Sequence, residues 1–247
     1  MKILGIIPAR YASSRFPGKP LIDIDGKSMI QRVYEQSRKC SAFSDVIVAT
    51  DDERIFRHVQ SFGGKAMMTS TGHLSGTDRC AEVLENRKES TDVVFNIQGD
   101  EPFIHPEQLG ILAECFQDKN TEIATLAKKI SDTETLFNSN VPKVIFNSKQ
   151  EAIYFSRAAI PYFRGVPDKE WVNHHPYYKH IGIYSYRTEI LRKISVLPPS
   201  PLESVESLEQ LRWLENGFKI RIEKSDYESI SIDAPEDLKK ITPEMLK

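Results

Sequence analysis

The stretch that decides the fold is Ile3–Leu21, ILGIIPARYASSRFPGKPL. Its first five residues, Ile3–Ile7, form an apolar run that predicts a short buried β-strand. The strand leads into a loop with prolines, a glycine and three cations, Arg10, Arg15 and Lys19, and no acid neutralises them. Ligands of α/β sheets bind in the crevice outside the carboxyl ends of the strands, where this loop would lie. The loop therefore predicts a polyanion site, and a nucleoside triphosphate is its natural ligand.

The composition makes this local charge informative. The chain has 247 residues, of which 40% are hydrophobic and 28% charged, and its formal net charge is −2. These values are typical of a globular protein and give no overall basic field for nucleic acid or an anionic membrane. The amino terminus lacks the pattern of a signal peptide, and no window approaches the roughly 18 apolar residues of a membrane span. Cys40, Cys80 and Cys115 are isolated and without metal-ligand spacing, so we expect reduced thiols and a cytoplasmic location.

The first half of the chain alternates strands and helices, which predicts a mostly parallel, Rossmann-like sheet flanked by helices. The expected strands are 3–8, 46–49, 65–68 and 93–97, and the expected helices are 29–40, 52–62, 77–87 and 106–117. We treat residues 1–247 as one main domain because no linker or repeat interrupts the pattern.

The second half departs from this rhythm. Strands near 144–147 and 152–155 flank a polar turn, and residues 160–180 are rich in proline, aromatic residues and histidine. This change predicts a small antiparallel subdomain inserted at about 130–180, a candidate dimer interface. A strand at 181–186, a helix near 203–216, a strand at 219–223 and a helix near 235–241 complete the expected elements.

Two carboxylates follow apolar strands and are candidates for a metal site. Asp100 comes after Gly99 at the end of one apolar strand, and Asp233 ends another. Mg²⁺ in nucleotide sites usually takes one or two carboxylates together with phosphate oxygens. The alternatives remain open, because Asp100 also suits a turn and Asp233 precedes a helix start for which Asp237 is the better cap.

Several common sites are absent from the sequence. Gly26-Lys27-Ser28 resembles the end of a P-loop, but position 21 is leucine where that motif needs glycine. No G-x-G-x-x-G follows a strand, which disfavours a dinucleotide oxidoreductase, and no serine or cysteine lies in a nucleophile elbow.

The loop at Pro8–Leu21 and a series of further sequence blocks resemble the sugar-acid cytidylyltransferase family. Within that family the resemblance is to the branch that activates 3-deoxy-manno-octulosonate (Kdo). Besides the opening loop, the resemblance rests on blocks at 49–51, 73–79, 96–102, 154–161, 180–186, 200–203, 209–212 and 233–237. The departures are mild: Phe16 replaces a usual leucine, Ser185 stands where glycine is common, and 162–178 matches poorly.

The resemblance implies a Mg²⁺-dependent transfer of CMP from CTP to the anomeric hydroxyl of Kdo, with release of pyrophosphate, in lipopolysaccharide biosynthesis. It implies catalytic roles for Arg10, Lys19, Asp100 and Asp233, the last two as the metal ligands. The implied nucleotide-binding residues are Ala9, Arg10, Arg15, Lys19, Ser75, Gly76, Thr77 and Arg79. The implied sugar-binding residues are Gln98, Arg157, His180, Tyr184 and Gln210, with Arg157 as the fork that holds the sugar carboxylate. The implied assembly is a homodimer, without nucleic acid or membrane partners.

Other functions remain open at this point. The nearest is a cytidylyltransferase for another sugar acid, such as 8-amino-Kdo or neuraminate. A hexose-1-phosphate nucleotidyltransferase shares the loop chemistry but has a more glycine-rich loop. A non-catalytic nucleotide-binding module is a third class, which the pair Asp100 and Asp233 disfavours because simple binding needs no second metal carboxylate.

Overall fold

The computed structural model describes residues 1–12, 16–228 and 230–246. Arg15, one of the cations predicted to hold the nucleotide, lies outside the described residues.

Described strands and helices follow the predicted α/β order. The strands are β1 (Ile3–Ala9), β2 (Asp23–Ile24), β3 (Lys27–Ser28), β4 (Asp45–Thr50), β5 (Ala66–Met68), β6 (Val93–Asn96), β7 (Ile123–Lys129), β8 (Lys143–Phe146), β9 (Ala152–Ser156), β10 (Tyr178–Arg187) and β11 (Ile220–Lys224). The α-helices are α1 (Met29–Arg38), α2 (Glu53–Ser61), α3 (Gly76–Asn86), α4 (Pro106–Cys115), α5 (Thr133–Phe137), α6 (Trp171–His174), α7 (Thr188–Ile194), α8 (Pro201–Glu206) and α9 (Gln210–Glu215). Short 3₁₀ turns cover Lys19–Leu21, Asp168–Glu170 and Pro235–Lys240.

The central sheet has the strand order β11-β7-β10-β6-β1-β4-β5. All neighbouring pairs in this order are parallel except those of β10, which is antiparallel to both β6 and β7. The carboxyl ends of β1, β4 and β6 therefore lie along one edge. The predicted mostly parallel α/β sheet is confirmed.

Helices cover both faces of the sheet because each strand has apolar side chains on both sides. Residues of α1, α2 and α4 pack on one face with the first core cluster, and residues of α3, α7 and α9 pack on the other. Such double coverage is characteristic of parallel sheets, whose strands are buried on both faces.

The predicted antiparallel insert is present as the hairpin of β8 and β9, whose first strand also pairs with the start of β10. Around it lies a small separate cluster of Ile130, Leu136, Trp171 and Tyr177. The division of the chain into domains, and a role for the insert in a dimer, stay predictions.

The structure differs from the predicted elements in several places. Residues 230–232, expected as an apolar strand that ends at Asp233, form no strand. The helix expected near 203–216 is two helices, α8 and α9, because Ser207 adopts a left-handed conformation with φ 52°. The helix expected near 235–241 is a 3₁₀ turn, Pro235–Lys240. The elements that lie where none was predicted are strands β2, β3 and β7 and helices α5, α6 and α7.

In the part of the chain that the structure describes, none of the helices has the length and apolar character needed to cross a membrane.

Candidate active site

A cleft of about 360 Å³ opens at the carboxyl ends of β1 and β6. Its walls come from the end of β1, the 3₁₀ turn at Lys19, the start of α3, the turn after β6, and single residues of β10, the α8–α9 junction and the carboxyl-terminal segment. The position is the one expected for ligands of an open α/β sheet.

Lys19 joins the two predicted metal carboxylates. Its Nζ lies 2.7 Å from Asp100 Oδ2 and 3.4 Å from Asp233 Oδ1. The two aspartates are far apart in sequence, so only the fold brings them together. The side chains of Asp100 and Asp233 keep 25% and 40% of their surface exposed, which leaves carboxylate oxygens accessible from the cleft.

The backbone fixes this meeting point. Gly99 passes so close to β1 that an added Cβ would lie 2.7 Å from the carbonyl oxygen of Pro8, so only glycine fits there. The backbone N–H of Ile232 donates to the carbonyl of Asp100 at 2.9 Å, which ties the segment before Asp233 to the turn after β6.

The loop after β1 is closed at its base before it delivers Lys19. Gly18 has φ 72° and donates its N–H to the carbonyl of Tyr11 at 3.0 Å. The guanidinium of Arg54 stacks on the ring of Tyr11, with its Cζ 3.3 Å from the ring centroid. Arg10, which precedes this base, is exposed and lines the cleft.

Helix α3 points its amino terminus at the cleft. Ser75 caps the helix by accepting the N–H of Asp78 at 3.1 Å, and the Asp78 side chain returns a bond to the N–H of Ser75. Free N–H groups and the dipole make a helix amino terminus favourable for anions and electronegative groups. Ser75 and Gly76 line the cleft together with Ala9 of β1.

Thr77 and Arg79, also predicted to bind the nucleotide, make their polar contacts with protein groups. Thr77 is fully buried and donates its hydroxyl to Glu209 Oε2 at 2.9 Å. Arg79 is nearly buried, pairs with Asp51 at 2.9 Å and also donates to Thr69. Arg79 does line the cleft, but its guanidinium contacts are with protein partners.

Two of the predicted sugar-binding residues, Gln98 and Tyr184, line the wall of the cleft opposite the start of α3. Gln98 donates through Nε2 to the carbonyl of Gly182 at 2.9 Å. Tyr184 is 7% exposed, and its buried hydroxyl has no hydrogen-bond partner among the described residues. Burial raises the pKa of Tyr184 well above its ordinary value, so this hydroxyl stays protonated and able to donate.

His180 and Gln210 lie behind that wall, outside the described residues that line the cleft. The ring of His180 packs edge-on against Phe155 and also contacts Tyr184, and its Nε2 lies 3.0 Å from Thr125 Oγ1. Burial lowers the pKa of His180 to about 3, so the ring is neutral. Gln210 is buried at the first turn of α9.

Arg157 was predicted to hold the sugar carboxylate. It follows β9, is not among the described residues that line the cleft, and donates from its guanidinium to carbonyls of Ser139, Glu206 and Ser207. Recognition of the sugar carboxylate by Arg157 stays a prediction.

Glu209 was missed by sequence reasoning although it lines the cleft. Burial raises the pKa of its carboxyl, while hydrogen bonds from Thr77 and Ser75 partly offset this effect. The available signal was its place next to Gln210 in a block of resemblance, but the single helix predicted there gave no reason to choose one neighbour over the other.

The donor set fits a magnesium ion. Asp100 and Asp233 bring hard oxygens to one point, and no cluster of three or more metal-binding side chains occurs among the described residues. A pair of carboxylates completed by phosphate oxygens and waters is the usual arrangement for Mg²⁺ with a nucleotide.

Comparisons with known proteins identify the family of this chain. A profile of the cytidylyltransferase family matches residues 4–225. Relatives named 3-deoxy-manno-octulosonate cytidylyltransferase from Parabacteroides distasonis and Bacteroides thetaiotaomicron are 57% and 56% identical to this chain, over 97% of the chain and 96% of each relative. The solved structure of a CMP:2-keto-3-deoxy-manno-octonic acid synthetase complexed with CTP matches with a TM-score of 0.90 at 44% identity, over 97% of this chain and 96% of that one.

Proposed function

This chain belongs to the cytidylyltransferase family, and we propose that it transfers CMP from CTP to the anomeric hydroxyl of Kdo. The hydroxyl oxygen forms the new bond to the α-phosphorus, the bond from that phosphorus to the bridging oxygen of the β-phosphate breaks, and pyrophosphate leaves while the hydroxyl proton is released. The observation that carries the proposal is the convergence of Asp100 and Asp233 on Lys19 inside the cleft.

The nucleotide side of the cleft supplies charge and backbone groups. Arg10 and Lys19 neutralise the triphosphate, and Arg15 adds to them from the same loop. Ala9, Ser75 and Gly76 present main chain to the cytidine, a role supported by the capped start of α3. Transfers at phosphorus depend mainly on positioning and on neutralising the charge of the transferred group.

Asp100 and Asp233 would hold Mg²⁺ at the α-phosphate. When bound there, the ion supplies positive charge to the phosphate oxygens and lowers the pKa of the attacking hydroxyl. Lys19 holds the two carboxylates at the same point and remains beside the triphosphate as a donor.

The sugar lies against Gln98 and Tyr184 on the opposite wall. Both residues line this wall of the cleft, which supports the placement. The neutral ring of His180 and the amide of Gln210 hold the wall from behind.

The test is pyrophosphate release with CTP, Kdo and Mg²⁺. We expect Asp100→Asn to lower kcat by roughly 100-fold or more, since charge at the transferred phosphate dominates such reactions. Asp226→Asn is the matched control, because Asp226 is exposed on the segment that leads to Asp233 and should retain full activity. Binding of Mn²⁺ in the presence of CTP, followed by electron paramagnetic resonance, should weaken in the Asp100 variant alone.

Full activity in Asp100→Asn would refute the metal role, and absence of turnover with Kdo would refute the sugar assignment. A panel with 8-amino-Kdo and neuraminate identifies the preferred sugar acid. We place the reaction in the cytoplasm and the chain in a homodimer formed through the insert, where Ile153 and Tyr162 are 56% and 75% exposed; sedimentation velocity tests that assembly.

A further inference from the structure

Strand β10 contains a bulge beside the cleft. Consecutive residues of β7 lie opposite Ile181 and Tyr184. Strand β10 therefore has two extra residues at this point, Gly182 and Ile183. A bulge bends its strand and is a common way to redirect a side chain next to an active site. Here the first residue after the bulge is Tyr184, which lines the cleft.

The bulge also contacts Gln98, which lines the same wall. The amide Nε2 of Gln98 donates to the carbonyl of Gly182 at 2.9 Å. A Cβ added to Gly182 would lie 3.7 Å from Cγ of Gln98, an ordinary van der Waals distance, so the side chain lies directly against this part of the strand. The positions of Gln98 and Tyr184 therefore both depend on the path of the main chain through the bulge.

Thr125 holds the bulge from the neighbouring strand β7. Its side chain is fully buried, and its Oγ1 lies 2.7 Å from the carbonyl oxygen of Ile183 and 3.1 Å from that of Ile181. These two carbonyls flank Gly182, so one hydroxyl contacts the main chain on both sides of the glycine. Such a donor matters at a bulge, because the ladder of main-chain hydrogen bonds is interrupted there and a buried carbonyl without a donor is costly.

The same oxygen of Thr125 accepts a hydrogen bond from His180, whose Nε2 lies 3.0 Å away. The hydroxyl hydrogen points to the carbonyls, so the ring nitrogen is the donor in this contact. Thr125 thus contacts β10 at residues 180, 181 and 183. The shape of the side chain does not account for these contacts, because valine fills a similar space and suits a strand equally well. The hydroxyl is what distinguishes threonine at this position.

We propose that Thr125 is a positioning residue for the sugar acid: its hydroxyl holds the bulge of β10 and thereby sets the direction of Gln98 and Tyr184. Thr125 is not among the described residues that line the cleft, so it acts through those two side chains. The inference rests on the proposed function, because the sugar side of the cleft is what the bulge shapes.

The experiment compares three variants at this position. Thr125→Val removes the hydroxyl, Thr125→Ser removes the methyl group and Thr125→Ala removes both, and pyrophosphate release gives kcat and the KM values for Kdo and CTP. We expect Thr125→Val and Thr125→Ala to raise the KM for Kdo roughly tenfold, because displaced side chains bind the sugar less well. Thr125→Ser should stay within about twofold of the unaltered protein, and the KM for CTP should change by less than about twofold in all three variants.

Thermal stability separates positioning from general damage. Thr125→Ser loses a buried methyl group and should lower Tm, although it keeps the KM for Kdo. Thr188→Val is the matched control, since Thr188 is also buried and donates its hydroxyl to the carbonyl of Thr91 at 2.7 Å. Thr91 precedes β6, whose other end meets the cleft, so this variant should lower Tm and leave both KM values unchanged.

A spectroscopic readout does not depend on turnover. In protein labelled with ¹⁵N-histidine, the Nε2–H of His180 should give a slowly exchanging proton signal, which His180→Gln identifies by its loss. The signal should persist in Thr125→Ser and exchange much faster with solvent in Thr125→Val, because the accepting oxygen is gone. An unchanged signal in Thr125→Val would show that the hydroxyl does not hold this strand and would overturn the proposal.

The kinetic results can also overturn it. The proposal is wrong if Thr125→Val leaves the KM for Kdo within twofold of the unaltered value, or if Thr125→Ser raises it as much as Thr125→Val does. If Thr125→Val fails to fold, Thr125→Ser and Thr125→Ala decide the question, because they differ only in the hydroxyl, and equal KM values for Kdo overturn the proposal. Failure of the proposed function would be seen separately, as no pyrophosphate release from CTP and Kdo in the unaltered protein, and the His180 signal would still show whether Thr125 holds the bulge.

Discussion

His180 shows how burial sets the chemistry of a single residue in this protein. Its ring lies between Phe155 and Tyr184, and its Nε2 is within hydrogen-bond distance of Thr125 Oγ1. The hydroxyl of Thr125 donates to the carbonyl of Ile183 at 2.7 Å, so the ring nitrogen is the donor in their contact. Burial lowers the pKa to about 3, and a neutral ring is therefore part of the native structure near neutral pH.

We predict that His180 makes the protein sensitive to acid. The folded-state pKa lies below the unfolded value of about 6.5, so the unfolded chain takes up a proton first as the pH falls. The free energy of unfolding should therefore decrease from about pH 6.5 toward pH 3, by about 1 kcal/mol between pH 7 and pH 5 after allowance for partial solvent exposure. Urea unfolding at both pH values should show a smaller decrease in His180→Asn. Thr125→Val keeps the burial and should keep the acid sensitivity; an equal decrease in the unaltered protein and His180→Asn would contradict the prediction.

The residues of the site could be predicted where their role follows from the local sequence, and less well where it depends on contacts made by the fold. Lys19 and Asp100 lie in the loops that follow β1 and β6, a position that sequence patterns reveal, whereas the strand predicted before Asp233 is absent because residues 230–232 form no strand. The structure nevertheless brings all three side chains together. Glu209 could not be chosen because its access to the cleft depends on the turn between α8 and α9, and Arg157 has polar partners more than 40 positions away.

At the scale of elements, the corner between α8 and α9 contains a strained residue. Ser207 has φ 52°, a conformation that costs a residue with a side chain about 1 kcal/mol and costs glycine almost nothing. We predict that Ser207→Gly stabilises the fold by about 0.5–1 kcal/mol, which raises Tm by roughly 1–4 °C in a chain of this size. Ser204→Gly, within α8 at an exposed position, is the control and should lower Tm. A lower Tm for Ser207→Gly in differential scanning calorimetry would show that the corner is not strained.

Strands with a continuous apolar run could be predicted, and strands that mix apolar residues with alanine and lysine could not. The apolar runs of β1, β4 and β6 left little choice, and their predicted bounds agree with the structure within two residues. Strand β7, IATLAKK, was missed because alanine and lysine have low strand propensity. Pairing with β10 on one side and β11 on the other stabilises it as a strand.

At the scale of the whole molecule, one small core joins the two ends of the chain at the active site. Ile24, Met29 and Ile232 form its buried centre. Its partly buried members come from both ends of the chain and from the turn after β6: Phe16, Ile22, Phe103, Ile230, Leu238, Ile241 and Leu246. Lys19 lies between two of these residues in sequence and Asp233 directly follows Ile232, so packing in this cluster sets the distance between the ammonium and the carboxylate.

This connection predicts that a small packing defect will separate activity from stability. Ile232→Val and Ile220→Val each remove one methylene from a fully buried isoleucine and should each cost about 0.5–1.5 kcal/mol of unfolding free energy. Ile220 begins β11 at the sheet edge opposite the cleft, whereas Ile232 also anchors Asp233 through its N–H bond to Asp100. We therefore expect kcat, measured at saturating CTP and Kdo well below Tm, to fall severalfold in Ile232→Val and to stay unchanged in Ile220→Val, since displacement of a reacting group by a fraction of an ångström is enough to slow transfer. Equal kcat values in the two variants would mean that Asp233 is held by its own polar contacts, with the shared core contributing only to stability.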